Sequence, residues 1–203
     1  TNELTRAAQV ASEGVALCDR WANPFHALIS RFVLLRIKQA QGDWASVATL
    51  WDEVTHWAAN SRFGPSSFLP FAQAQLLLAQ GKWAETVPWF QAVNWQEAMP
   101  TTIFTGQEFI YFYEYQRVAP AQVALAQVRA TKVLRDHLVR QQQAAVREGL
   151  LWLQIKAHCL QALAHAALGE TQAAFKALAH ALTLAEPEGF VRVFVDEGEE
   201  LRF

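Results

Sequence analysis

Apolar residues recur along most of the chain at the spacing of an α-helix. Trp44, Val47, Trp51, Val54 and Ala58 fall at i, i+3, i+7, i+10 and i+14, which places them on one face of a helix. The same spacing occurs in two further stretches, Trp83, Val87, Phe90 and Val93, then Phe175, Leu178, Leu182 and Ala185. Alternating Val, Ile and Thr runs bounded by Asn-Gly or Asp-Gly turns, which indicate strands, are almost absent before residue 190. The pattern predicts an all-α fold.

Three short segments share the pattern Ala-x-Gly-polar-x, at residues 40–44, 79–83 and 167–171. In each, one helical stretch ends at the glycine and another begins within two residues. The position five past the glycine is small or β-branched, and the position nine past it is large and apolar: Val47, Thr86 and Ala174, then Trp51, Phe90 and Leu178. Gly42 and Gly81 are 39 residues apart and Gly169 follows 88 later, so we expect a divergent turn around Ala119-Pro120 to fill the gap. This spacing predicts helix–turn–helix repeats of about 40 residues.

The repeat predicts a particular architecture. Glycine in a left-handed conformation ends the first helix, and the second helix folds back antiparallel to it. One pair cannot bury its apolar face alone, so the pairs stack, and we expect a right-handed superhelix. The predicted helices are 4–20, 25–41, 44–60, 68–80, 83–95, 107–118, 121–147, 150–168 and 171–185, and Pro88 should distort the start of its helix.

These helices predict a single repeat domain over residues 1–203. It comprises a half repeat at 4–20, helix pairs at 25–60, 68–95, 107–147 and 150–185, and a C-terminal tail at 186–203. The half repeat is interpreted as the second helix of a pair whose first helix lies upstream.

The composition narrows the class of protein. The 203 residues carry 17 Lys and Arg against 19 Asp and Glu, and 52% of them are apolar. So apolar a chain is not disordered, and a net charge of −2 argues against a nucleic-acid surface. Cys18 and Cys159 belong to no CxxC or CxxH spacing, which argues against a disulfide scaffold and a structural zinc site. Residues 1–14 show no signal-peptide pattern and no 18-residue apolar stretch occurs, so we expect a cytoplasmic protein.

Residues 181–198 read ALTLAEPEGFVRVFVDEG, a long and specific motif. The segment resembles the corresponding part of the MalT-like, LuxR-family ATP-dependent transcriptional regulators. The resemblance continues through residues 149–170, Leu4–Ala8 and the AQGD segment at 40–43, and so covers essentially the whole chain. In that family an ATPase module precedes a tetratricopeptide-like (TPR-like) sensor, and a LuxR-type helix-turn-helix follows it. This chain resembles only the sensor.

The resemblance implies signal sensing, with ATP and DNA handled by other modules of a bacterial regulator. The chain has no G-x-x-x-x-G-K-[ST] phosphate loop, and Gly81-Lys82 belongs to a repeat turn. We therefore expect no cofactor, no direct DNA contact and no membrane contact in this segment. The expected partners are a small-molecule or protein inducer in the concave groove, and the other modules. The alternative is a generic TPR-type scaffold for protein–protein interaction.

Two surfaces are candidates for inducer binding. Gln154, His158, Gln161 and His165 fall at i, i+4, i+7 and i+11 and form a polar stripe on an apolar helix, suited to a sugar or a peptide. The alternative is an ordinary solvated helix face. In the aromatic run 108–115, Glu108, Tyr111 and Tyr115 share one face, which would suit a sugar ring or a cationic ligand. The alternative there is repeat packing.

Three other groups of residues could suggest a metal site or a catalytic site, and we predict neither from them. His158 and His165 could share a helix face, but no third metal ligand is evident. Cys159 follows His158 directly, and adjacent helical residues point about 100° apart, so they do not form a nucleophile–base pair. The carboxylates of the tail are expected to be solvated: Glu186, Glu188, Asp196, Glu197, Glu199 and Glu200. We predict no catalytic residues and no enzyme.

Overall fold

The computed structural model describes residues 2–21, 24–60, 69–92, 110–127 and 132–197, and in these segments the protein is helical throughout without a strand. The helices are α1 (Asn2–Arg20), α2 (Pro24–Gln41), α3 (Trp44–Asn60), α4 (Leu69–Ala79), α5 (Val87–Ala92), α6 (Ile110–Ala126), α7 (Lys132–Arg147), α8 (Leu151–Ala167), α9 (Thr171–Ala185) and α10 (Arg192–Val195). The predicted all-α helical-repeat fold is confirmed.

The chain forms two compact units, Thr1–Leu69 and Pro70–Phe203. In the N-terminal unit, α2 packs against both α1 and α3. In the C-terminal unit, α8 packs against α7 on one side and α9 on the other, and it also touches α6 and α10. The single domain over residues 1–203 stays a prediction.

Arg31 of α2 joins the three helices of the N-terminal unit. Its guanidinium donates two parallel hydrogen bonds of 2.9 Å to the carboxylate of Asp19 in α1. Its Nε donates to Glu53 of α3 at 2.6 Å, and its charge lies 5.2 Å from the ring centre of Trp57. The Arg31 side chain is 8% exposed. A planar guanidinium can pair with carboxylates and lie over an aromatic ring at the same time, and the ammonium of lysine cannot.

The predicted glycine turns are confirmed. Gly42, Gly81 and Gly169 have φ of 75°, 72° and 75°, in the left-handed region. The residue after each glycine donates its N–H to the carbonyl five positions back, as in the bond from Glu170 to His165 of 2.9 Å. This is the Schellman arrangement that ends a helix. The small residues five past each glycine, Val47, Thr86 and Ala174, are buried.

Proline has different consequences at Pro88 and at Pro120. Trp83–Thr86 form a 3-10 turn and α5 begins at Val87, so Pro88 distorts the start of this helix as predicted. The predicted turn at Ala119-Pro120 is wrong, because α6 continues through Pro120 to Ala126. The predicted helix 121–147 is wrong with it, since α7 begins at Lys132.

The continuation of α6 through its proline has a packing reason. Val118, Ala121, Val123 and Ala124 belong to one buried apolar cluster with Leu160 and other residues of α7 and α8. Proline removes one backbone hydrogen bond and crowds the preceding turn. Burial of this helix face offsets that loss.

Helix α9 presents a different face to its neighbour than the apolar pattern predicts. Its buried residues are alanines, at positions 174, 177, 181 and 185. Phe175 and Leu182 of the predicted stripe are 47% and 51% exposed. Of the other two members of the stripe, Leu178 is half-buried and Ala185 is buried. Small side chains let α9 approach α8 closely, and that approach leaves the larger ones outside.

Candidate functional site

Residues 186–197 fold back onto α8 and α9, and we call this segment the C-terminal clasp. A 3-10 turn at Glu186–Glu188 ends at Gly189, and α10 follows. Phe190, Val193 and Phe194 pack against a buried cluster that includes Ile155 and Cys159 of α8. Residues 186–197 of the sequence motif thus form one element that covers part of the last helix pair.

A buried ion pair holds the end of the clasp. Glu197 pairs with Lys156 of α8, and the two side chains are 5% and 6% exposed. Gln122 of α6 donates its Nε2 to both carboxylate oxygens of Glu197, at 3.0 and 3.3 Å. Gln75 of α4 in turn donates to Gln122 Oε1 at 2.5 Å. Four segments that are distant in sequence therefore meet through one polar network.

This network corrects the prediction of a solvated acidic tail. Glu186 and Glu188 are exposed as expected, and Asp196 is exposed and pairs with Arg192. The side chain of Glu197 is instead enclosed, with a cation and an amide as its partners. A buried carboxylate is tolerated because its charge is paired and hydrogen-bonded. Glu199 and Glu200 lie outside the described residues.

Cys159 lies beneath the clasp and is fully buried. Burial raises the pKa of its thiol to about 12, the negative charge of Glu197 adds to this effect, and Lys156 opposes it. The thiol therefore stays protonated at neutral pH, and a buried neutral thiol reacts slowly.

An apolar groove of about 580 Å³ lies between the C-terminal end of α9 and the clasp. Its lining includes Leu182, Phe190, Val191, Phe194 and Val195. Leu182, Val191 and Val195 are 51%, 66% and 54% exposed, so the groove opens to solvent over much of its length. It is an open apolar surface rather than a closed cavity.

The predicted polar stripe of α8 lies inside the C-terminal unit. Gln154, His158 and His165 are half-buried and Gln161 is buried, so the alternative of a solvated helix face is wrong. Gln154 donates its Nε2 to the carbonyl of Ala145 in α7 at 3.3 Å. Polar side chains are tolerated at this position because groups of the neighbouring helix α7 form hydrogen bonds with them. Its role in inducer binding stays a prediction.

His158 occupies the middle of this stripe. Its ring meets the ring of His180 in α9 edge-on, with centroids 5.5 Å apart. Burial lowers the pKa of His158, the neighbouring His180 lowers it further, and a hydrogen bond with Gln161 partly opposes both. Its Nδ1 is buried and has no hydrogen-bond partner within the described segments. The lowered pKa favours the neutral imidazole, and its Nδ1 is enclosed by the fold.

His165 ends the stripe in a charged cluster. Its Nδ1 lies 2.5 Å from Glu170 Oε2, and Arg135 of α7 donates to Glu170 Oε1 at 3.0 Å. The hydrogen bond from His165, supported by Arg135, lowers the pKa of Glu170. Glu170 thus links α7 to the turn between α8 and α9, and it occupies the Nδ1 of His165.

The structure does not describe the side chains of the predicted aromatic site in the run 108–115. Glu108 lies outside the described residues, and Tyr111 and Tyr115 lie in the part of α6 whose side chains are not described. Their role in ligand binding stays a prediction.

Two buried cations, Lys156 and Arg31, were missing from the sequence-based candidates. Each is a charged residue within an apolar helical run, LWLQIKAHCL for Lys156 and LISRFVLL for Arg31. Such a residue indicates a buried charge that needs a partner. The partner of Lys156 could not be identified from spacing, since Glu197 lies far along the chain and beyond another helix.

The described segments contain neither a membrane-spanning helix nor a cluster of metal ligands. No helix there is long and apolar enough to cross a membrane. Nowhere in those segments do three or more His, Cys, Asp or Glu residues come together as a metal ion would require.

Neighbouring helices of each unit pack against each other, glycine turns join several of them, and the clasp covers the last pair. These features define an α-helical repeat protein. The family model of the MalT-like TPR region matches residues 1–203, and the chain belongs to that family. A comparison with curated proteins found no match, and neither did one with solved structures.

Proposed function

We propose that this chain is the signal-sensing region of a LuxR-family, MalT-like transcriptional regulator. The observation that carries the proposal is the match of the MalT-like TPR region over the whole of residues 1–203. The segment itself catalyses nothing, holds no cofactor and contacts neither DNA nor membrane. It acts in the bacterial cytoplasm through an ATPase module and a helix-turn-helix module of the parent protein.

In the proposed mechanism, an inducer binds the repeat array and favours one of its arrangements against the other modules. A ligand shifts such an equilibrium only by its difference in affinity for the two states. His158 and Gln161 provide the polar contacts, because the Nδ1 of His158 has no partner within the described segments and Gln161 lies one turn further along α8. Hydrogen-bonding groups among apolar residues suit a sugar or another small hydroxylated metabolite.

A calorimetric screen of the chain against mono- and oligosaccharides and small metabolites tests this proposal. We expect one of them to bind and to raise the melting temperature. His158→Ala, Gln161→Ala and Tyr111→Ala should each weaken binding, whereas His26→Ala, an exposed histidine of the other unit, should not. Binding that is unchanged in all three variants would remove these residues from the site.

The second candidate is a scaffold that docks proteins and senses no small molecule. The groove between α9 and the clasp favours it, since three large aliphatic side chains are more than half exposed there. Stabilisation by a small ligand that disappears in His158→Ala would count against the scaffold.

A further inference from the structure

The groove between α9 and the clasp has a preformed apolar floor. Phe190 and Phe194 are half-buried and pack inward against the cluster around Cys159. The buried pair of Glu197 with Lys156 anchors the segment that supplies them. Leu182, Val191 and Val195 stand at the surface, each more than half exposed. An occupant would therefore meet an apolar surface that is already formed, which lowers the cost of ordering the site on binding.

The packing of the unit indicates that this occupant is a helix. Helix α8 packs between α7 and α9, and α2 packs between α1 and α3 in the other unit. Helix α9 turns its alanine face to α8, and Leu182 stands about 100° around the helix from that face, on the side of the groove. In a repeat array the apolar sides of helices are covered by neighbouring helices, and the groove beside α9 is an apolar side that no described helix covers.

The charges at the groove indicate which kind of helix fits. Glu186 is the charged member of the lining residues that are described, and Glu188 is exposed two positions further on. Neither carboxylate has an ion-pair partner within the described segments, while the nearby Asp196 is paired with Arg192. We propose that the groove docks an amphipathic helix with leucine-sized residues on its apolar face and Lys or Arg along the edge that meets Glu186 and Glu188. Opposite charges at the rim select the partner and its orientation.

Two labelled synthetic peptides test the proposal. Both carry leucines at i, i+3, i+4 and i+7 over about four helical turns, one with lysines and the other with glutamates beside them. In fluorescence anisotropy at low ionic strength, the lysine peptide should bind roughly tenfold more tightly than the glutamate peptide. The combined Glu186→Lys and Glu188→Lys substitutions should reverse that preference.

Matched substitutions locate the site. Leu182→Asp should abolish binding of the lysine peptide, whereas Val146→Asp on α7, at a side chain that is likewise 51% exposed, should leave it unchanged. Circular dichroism of both variants verifies that they fold. Failure of both peptides to bind, equal binding of both, or equal loss in the two variants would overturn the proposal.

Two results would assign the groove to a different occupant and would also overturn the proposal. The first is concentration-dependent association of the chain, detected by sedimentation and lost in Leu182→Asp, which would make the occupant a second copy. The second is peptide binding that occurs only after Leu201→Asp and Phe203→Asp, which would make it the chain's own end. Neither result bears on inducer binding at α8, so this inference and the proposed sensor function fail separately.

Discussion

Removal of the charge of Glu197 should release the C-terminal clasp while the helices beneath it stay folded. In Glu197→Gln, the ammonium of Lys156 remains in a site where its side chain is only 6% exposed and loses its counter-charge. Removing one partner of a buried ion pair costs about 3–5 kcal/mol. A loss of about 3 kcal/mol raises the open population of the clasp roughly 100-fold, at about 1.4 kcal/mol for each factor of ten.

The thiol of Cys159 reports this opening. It is fully buried beneath the clasp, and its pKa of about 12 keeps it protonated in the closed state. A Cys18→Ser background leaves Cys159 as the one cysteine of the 203-residue chain. The rate at which a thiol reagent labels it under native conditions should rise roughly 100-fold in Glu197→Gln. Helix content measured by circular dichroism should stay the same.

Two further variants separate loss of the ion pair from a general weakening. Glu188→Gln removes an exposed carboxylate from the same segment and should label at the parent rate. Combining Lys156→Met with Glu197→Met replaces the buried pair by apolar side chains, and the double variant should label more slowly than Glu197→Gln. The reasoning is refuted if Glu197→Gln labels at the parent rate, or if the double variant opens further than the single one.

Three further changes test other contacts. Arg31→Lys loses the forked hydrogen bonds to one carboxylate and should lower the free energy of unfolding of the N-terminal unit by roughly 1–3 kcal/mol in urea. Arg20→Lys, at an exposed position, is its control, and equal effects would contradict the assignment. Burial and the neighbouring His180 lower the pKa of His158, so just below pH 6.5 the unfolded chain binds more protons than the folded chain. The stability that the neutral His158 contributes is therefore fully present above pH 6.5 and falls as the pH drops below it. His158→Gln should reduce that slope below about pH 6.5, and an unchanged slope would count against this reasoning. Gly169→Ala should cost roughly 1 kcal/mol through φ alone, since no atom lies within 4 Å of an added Cβ, and Gly169→Asn should cost less; equal losses would contradict this.

The ion pair and the groove belong to the same segment, which has a consequence for any partner. Phe194 and Val195 form one wall of the groove, and Glu197 anchors that wall from two residues further along the chain. Release of the anchor would therefore weaken docking at the groove as well as expose Cys159. Peptide binding in Glu197→Gln measures this coupling directly.

Local sequence determined the helices and the turns of this protein. The 3.6-residue period of apolar positions and the glycines at 42, 81 and 169 predict where most helices begin and end. Both signals depend only on residues that lie within one or two helical turns of each other in the sequence. The effect of Pro88 on α5 was predictable for the same reason. Pro120 was not, since burial of the α6 face decides in favour of a continuous helix, and that burial depends on helices elsewhere in the chain.

Tertiary structure decided which polar groups are buried and which apolar ones are exposed. The sequence predicts a solvated carboxylate at Glu197 and an apolar helix face that includes Leu182, whereas the structure buries the Glu197 side chain and exposes Leu182. Glu197 is buried because Lys156 and Gln122, which come from other helices, satisfy its charge. Leu182 is exposed because the alanine face of α9 packs more closely on α8. A helical period defines the faces of a helix, but which face meets a neighbour depends on the packing of both partners.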